Sequence, residues 1–219
     1  MFGLPIETRY PKVINIPKQK IYNHVDPAPA LKRAISEQIE SVRWTHALHP
    51  DKLKIASGQH VQKIQVLEIC LRQKSLDAAV LEQIDRQNPF HVLMILSFEG
   101  NYQAWMSFKE PALSGRQKFK VVQYYHTDWM PAEELRLTCD GLDMDALYAC
   151  LLRQLTGGTL PIKPGLSLKE AVERDRQKRS IDQKIKALEA KLRKEKQLNI
   201  QMRLNGELKR LRKELDSLS

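Results

Sequence analysis

The chain has 219 residues, 42% of them hydrophobic, with 36 Lys+Arg against 26 Asp+Glu and a net charge of +10. That length suits one globular domain plus an appendage, and the apolar share is enough for a real core. No run of about eighteen apolar residues occurs, which argues against a membrane-spanning helix. The three cysteines, Cys70, Cys139 and Cys150, have no CxxC spacing, which points away from a disulfide framework or zinc site and toward a reduced, cytoplasmic protein.

Residues 1–26 form an extended arm. Pro5, Pro11 and Pro17 punctuate it around the apolar run Val13-Ile14-Asn15-Ile16, the pattern of an edge strand or of a segment lying on the domain. No basic segment followed by an apolar stretch opens the chain, so no secretory leader is expected. Asp26-Pro27 then has the form of a helix start, with Asp as cap and Pro in the first turn. Leu31, Ile35, Ile39 and Val42 give a stripe that predicts helix to about His46.

After the loop His49-Pro50-Asp51, Leu53 and Ile55 alternate as a first strand, and Val61 to Arg72 follows as a second. Gln65, Leu67, Ile69 and Leu71 share one face of it; Ile64, Val66, Glu68 and Cys70 share the other. Both faces are mostly apolar, as in an interior strand. Ser75 caps a second helix with Leu76, Ala79, Val80 and Ile84 inward, ended by Asn88-Pro89. Phe90 to Phe98 is a continuous apolar strand. Glu99-Gly100-Asn101 turns it, and Tyr102 to Lys109 returns as its hairpin partner. Pro111 to Gly115 loops out before a strand over Phe119 to His126. A short strand is expected at Leu135 to Leu137, and Asp143 caps a third helix carrying Ala146, Leu147, Cys150, Leu151 and Leu155. Residues 27–156 therefore read as an α/β core, a mixed sheet flanked by helices.

Gly157-Gly158, Pro161 and Pro164-Gly165 make 157–166 a linker. Ser167 and Glu170 form a capping box, and 167–219 reads as a basic C-terminal helix or coiled coil. Its apolar stripe is Ile181, Ile185, Leu188, Leu192, Ile200, Leu204, Leu208, Leu211, Leu215 and Leu218. The spacing, about 3.7 residues per turn, predicts one continuous helix with a stutter; a hairpin bent within 195–206 is the alternative. A stripe of this kind cannot stay in water. Ile181, Ile185, Leu188, Leu192, Leu204, Leu208, Leu211 and Leu215 are thus the candidate docking residues, for a protein partner or a second copy.

This segment also holds the charge. Residues 167–219 contain 16 basic and 9 acidic residues, a net +7, whereas the preceding 166 residues have 20 and 17, a net +3. A basic arm fits nucleic acid or an acidic protein surface; a solvated coiled-coil exterior is the plainer reading. Lys191, Arg193, Lys194, Lys196, Arg203, Lys209, Arg210, Arg212 and Lys213 are the candidate phosphate contacts, which would position DNA without reading its sequence.

In the core, the order helix, strand, strand, helix, strand resembles the restriction-endonuclease-like fold in degenerate form. That resemblance implies carboxylates at a strand end and on the next strand, holding Mg²⁺ beside a Lys. Pro50-Asp51 and Glu68 match the two acids and Glu40 is a candidate third, but position 70, where the Lys belongs, is Cys. Mg²⁺ is expected only under this nuclease reading; otherwise no cofactor is expected. His24, His46, His49, His60, His91 and His126 show no ligand spacing. Tyr124 to Trp129 could stack a base beside a carboxylate, or seal the edge of the core.

Three segments carry a second resemblance: Lys63 to Leu71, Ile84 to His91, and Tyr125-His-Thr-Asp-Trp129. With Glu195-Lys-Gln-Leu-Asn199 and Leu204-Asn-Gly-Glu-Leu-Lys209 in the charged tail, they make nearly the whole chain similar to a bacterial domain-of-unknown-function family. The resemblance implies genes beside those of a helicase and a DNA methyltransferase in restriction or phage-defence islands. It supplies no catalytic residue. The expectation is a non-catalytic accessory subunit that docks a helicase or methyltransferase and DNA backbone, with the Mg²⁺-dependent nuclease as alternative.

Overall fold

The structure is a computed structural model describing residues 2–21, 28–112, 119–160 and 166–218. The chain divides into two units, Met1–Thr159 and Leu160–Ser219.

An open seven-stranded mixed sheet organises the first unit. Its strands lie side by side in chain order: β1 (Arg9–Asn15), β2 (Ile39–Leu48), β3 (Ile64–Leu71), β4 (His91–Phe98), β5 (Asn101–Pro111) and β6 (Phe119–His126). The two-residue β7 (Met130–Pro131) also pairs with β5. Among the described strands only β3 and β4 pair in parallel, because helix α3 (Ala78–Gln87) returns the chain between them. Helix α1 (Pro29–Gln38) packs on β2 and α3, and helix α4 (Met144–Leu155) packs on β5 and β6. Between β4 and β5, Glu99 and Gly100 both take positive φ, 44° and 78°, the requirement of a two-residue type I′ turn.

Strand β2 was not legible as a strand. The helical stripe Leu31, Ile35, Ile39 runs on in register, but α1 stops at Gln38 and Ile39 begins β2. The segment Ile39 to Thr45 holds Ile, Val, Trp and Thr, which fit a pleated surface. As a strand it also satisfies backbone on both sides, pairing with β1 and β3. Its buried residues Ile39 and Val42 are three apart, a helical spacing, and reach one face of the strand only through the register shift between Ile39 and Ser41, which is why the pattern alone misleads. The Asp26-Pro27 start lies outside the described residues; α1 begins with Pro29 in its first turn. The arm's apolar run becomes edge strand β1, with Pro11 in the irregular stretch between the registered residues Arg9 and Ile14.

Two further expectations are corrected. Leu53 and Ile55 do not form a strand: Pro50–Leu53 is one helical turn, α2, closed by Lys54 at φ 55°. Leu135 and Leu137 are buried without strand pairing, and Leu137 N donates to Phe2 O at 2.9 Å. The loop after α2 is ordered instead by Asp145 of α4, whose carboxylate accepts from the amides of Gln59, His60 and Val61. Gly58 permits this: a Cβ there would lie 2.6 Å from Asp145 Oδ1.

The core between the sheet and helices α1 and α3 is apolar: Ile35, Ile39, Leu67, Ile69, Leu81, Met94 and Leu96 are essentially inaccessible. At its β5 end it carries an ion pair. Asp85 of α3 is 0% exposed and Lys109 of β5 2% exposed, with Nζ 2.7 Å from Oδ1. Ser107 and Tyr124 both donate to Asp85 Oδ2. Lys109 Nζ also donates to the Phe90 carbonyl at 3.1 Å. Tyr148 of α4 closes the group, donating to Ser107 O and accepting from Lys109 N. The network thus ties α3, β5, β6 and α4 together. Burial and the neighbouring Asp85 push the Tyr124 hydroxyl pKa well above its ordinary value, so it remains a donor.

The second unit is a helical hairpin. Helix α5 (Leu168–Leu192) starts at the expected capping box, Ser167 accepting from Glu170 N and Glu170 from Ser167 N. Helix α6 (Leu198–Ser217) follows after residues 193–197, so the continuous helix gives way to the hairpin alternative. At the turn, Glu195 Oε1 accepts from Lys196 N and Gln197 N at 2.8 and 2.9 Å. Ile181, Ile185 and Leu208 are buried between the helices, with Leu188, Leu192, Leu211, Leu215 and Leu218 packed around them. Burying a Leu or Ile contributes roughly 1.5–3 kcal/mol, more than the few hydrogen bonds lost where the helix breaks. The 25-residue α5 closes its stripe against the chain's own next helix.

Asp85→Ala is expected to cost about 3–5 kcal/mol, because it strands a buried ammonium. The double variant Asp85→Leu/Lys109→Met should recover much of that loss; urea midpoints at constant m check both. A second expectation concerns pH. Burial first, then the Lys109 charge, depress the His91 pKa from its ordinary 6.5 to about 4. Between those values the unfolded chain takes up a proton that the folded chain refuses. His91's contribution is therefore full above pH 6.5 and is lost as pH falls toward 4, on the order of 3 kcal/mol. His91→Phe should flatten the stability profile across that window, measured by urea denaturation at fixed ionic strength.

Candidate nucleic-acid interface

The three carboxylates of the nuclease reading do not meet. Asp51 sits in the exposed turn α2, 89% exposed, with Oδ2 3.3 Å from His49 Nδ1. Glu68 lies inside β3 opposite Arg43, and its Oε1 is 3.2 Å from Arg43 Nη2. Leu48 is opposite Ile64, so Asp51 lies beyond that end, roughly 13 Å along the strands from Glu68. A shared ion needs each oxygen within about 2.0–2.6 Å. Glu40 accepts from Cys70 Sγ at 3.2 Å. Among the described residues no three His, Cys, Asp or Glu side chains form a metal-holding group. His24 lies outside the described residues.

The aromatic strand end Tyr124 to Trp129 is spent on the core. Tyr124 donates to Asp85, Tyr125 is buried, and Trp129 packs against the apolar cluster. His126 stacks on Trp105 with ring centroids 4.2 Å apart. This is the sealing role.

The hairpin places its charge selectively. All nine candidate basic residues are exposed. On one side the helices frame an open groove of about 730 Å³, floored by Leu192 and Leu208. Arg193, Lys209, Arg212 and Lys213 line it against only Glu189 and Asp216. Arg212 is drawn to Glu189 of the opposite helix, Nη2 to Oε1 2.8 Å, and fastens α6 to α5. Arg193, Lys209 and Lys213 form no ion pair among the described residues. Lys209 and Lys213, four residues apart, stand one above the other about 6 Å apart along the axis. On another side Arg203 and Arg210 share a smaller groove with Glu207 and Glu214, so their charge is matched. Lys194 and Lys196 add to Arg193 at the turn. The structure thus divides one basic list into a positive face and a balanced one. A linear sequence gives no sign of that division, since it depends on which helix faces which.

The candidate docking residues lie elsewhere than expected. Ile181, Ile185, Leu204 and Leu208 are 9% exposed or less, and Leu188, Leu192, Leu211 and Leu215 pack around that seam. The premise that the stripe needs an outside surface therefore fails: α5 and α6 shelter it from each other. Leu198 and Met202, 71% and 69% exposed, are the large apolar side chains α6 leaves open. No helix among the described residues is long and apolar enough to cross a membrane.

The profile of the family described as "Domain of unknown function (DUF4391)" matches residues 2–215, and the chain belongs to that family. No curated protein and no solved structure matched it.

The seam has a measurable consequence. Leu208→Ala should cost about 2–5 kcal/mol of hairpin stability, read as faster amide exchange confined to 181–218. Leu198→Ser, on the open side of α6, should leave that exchange unchanged. Light scattering of the full chain should give the monomer mass, since the stripe that asked for a second copy is covered; a stable dimer would contradict this.

Proposed function

We propose that this member of the DUF4391 family is a non-catalytic accessory subunit of a bacterial DNA-directed system, restriction or anti-phage defence, which grips nucleic-acid backbone with its C-terminal hairpin. One observation carries the reading: Arg193, Lys209 and Lys213 line one groove without forming an ion pair among the described residues, whereas Arg203 and Arg210 share theirs with Glu207 and Glu214. Such a face neutralises phosphates and releases counterions, and it reads no sequence. Docking of a helicase or methyltransferase stays part of the proposal, but its surface is no longer the leucine stripe. The second reading, a Mg²⁺-dependent nuclease, needs Asp51 beside Glu68; what favours the first is that Asp51 is exposed beside His49 while Glu68 is engaged by Arg43.

The test is anisotropy of a labelled duplex of arbitrary sequence titrated with the full chain at several salt concentrations. Binding should be non-specific, with a Kd of about 10⁻⁴–10⁻⁶ M near physiological salt. Arg193→Gln/Lys209→Gln/Lys213→Gln should weaken it and lower the salt slope by roughly three, at about 0.9 per phosphate contact. Arg203→Gln/Arg210→Gln should change the slope little. Equal effects of the two variants, or no binding by the wild type in low salt, would overturn the assignment.

A further inference from the structure

The sheet carries a second positively charged site, independent of the hairpin. Beyond the covered part of the sheet, three adjacent strands turn polar side chains onto one patch. Edge strand β1 gives Arg9, β2 gives Arg43, Thr45 and His46, and β3 gives Glu68. Arg9 lies opposite His46, and Arg43 opposite Glu68. Register shifts in β2 between Trp44 and His46, and in β1 between Arg9 and Ile14, accompany this gathering; bulges of this kind re-aim side chains. Together with Phe2 and Leu4, these residues line a pocket of about 320 Å³.

The pocket's electrostatics favour an anion. Arg43 uses Nη2 on Glu68, which fixes the guanidinium, while its buried Nε has no hydrogen-bond partner. Arg9 is exposed and forms no ion pair among the described residues. Two guanidiniums thus face one carboxylate, leaving the patch positive. His46 reports the same field. Burial first, and then Arg9 and Lys52 among the nearby charges, depress its pKa to about 4, so it is neutral at pH 7 and the positive charge of the patch comes from the guanidiniums. Its Nδ1 is 3.1 Å from Thr45 Oγ1. Guanidinium forks bind carboxylate and phosphate oxygens in pairs, and apolar walls with a few convergent polar groups are the usual form of a small-molecule site.

We propose that this pocket binds a small organic anion, its carboxylate or phosphate held between Arg9 and Arg43 and its apolar body against Phe2 and Leu4. Glu68, which resembled a nuclease carboxylate in the sequence, here orients Arg43 for the ligand.

The experiment titrates the full chain, at pH 7, with phenyl phosphate, with benzoate and with neutral benzyl alcohol, following the Arg Nε–H resonances and the melting temperature. Saturable binding of either anion, shifting the Arg43 Nε–H signal and raising the melting temperature, supports the site; the tighter of the two identifies the head group. Arg9→Gln, on the exposed edge strand, should weaken the anion roughly tenfold or more, as loss of a charged hydrogen bond does. Arg43→Lys, which keeps the charge, should weaken it by a similar factor because the fork is gone. Benzyl alcohol binding as tightly as the anions, anion binding indifferent to Arg9→Gln, or no saturable binding of either anion at millimolar concentration would each overturn the proposal.

Discussion

The packing of α5 against α6 decides what this chain can offer to anything else. Ten apolar positions at helical spacing demand cover, and cover has only two sources: another molecule or the chain itself. Here the break at 193–197 lets the chain supply it. Ile181, Ile185 and Leu208 become the inside of a hairpin, and what faces outward is charge. An arm that looked like a hydrophobic dock becomes a polar rod with a positive groove. The change follows from five residues of turn, held by one carboxylate, Glu195, that collects two backbone amides.

The first unit shows the same economy in a sheet. β2 is the element on which its order depends, because it is paired on both sides and so joins the N-terminal strand to the parallel pair β3 and β4. On one face its residues Ile39 and Val42 complete the core under α1 and α3. On the other face its polar residues, with those of β1 and β3, are left to form the arginine pocket. The Asp85–Lys109 network does comparable work at the opposite side of the sheet, joining two helices and two strands through groups that would each be costly to bury alone.

Much of the fold is legible in the residues. The strand over Phe90 to Phe98, its hairpin return, the strand over Phe119 to His126, the Asp143 cap and the Ser167/Glu170 box all follow from local pattern. Each is fixed by neighbours within a few residues: an apolar run, a turn dipeptide or a side chain reaching an amide three positions on. Strand β2 is not legible, because Ile39 and Val42 carry a helical spacing and only a bulge between Ile39 and Ser41 lets a strand put both on the core face. The hairpin was legible only as an alternative, since the stripe's spacing is the same whether the helix runs on or folds back. Of the candidate sites, the basic residues could be named from the sequence but not sorted, and Asp51 could be matched to Glu68 only on paper. The Arg9, Arg43 and His46 group had no signal at all: its members are 34 and 3 residues apart in the chain and meet only through strand pairing.

The sequence by itself determined an α/β core with a mixed sheet, a capped and strongly basic C-terminal helical segment, and an apolar stripe that had to be buried. Those properties are local, set by propensity, capping and composition. Only the tertiary structure decided what buries the stripe, which basic residues share a face, and which carboxylates stand near each other. Those are questions of pairing between distant segments, and pairing is settled by which buried surfaces and backbone hydrogen bonds the whole chain can satisfy at once.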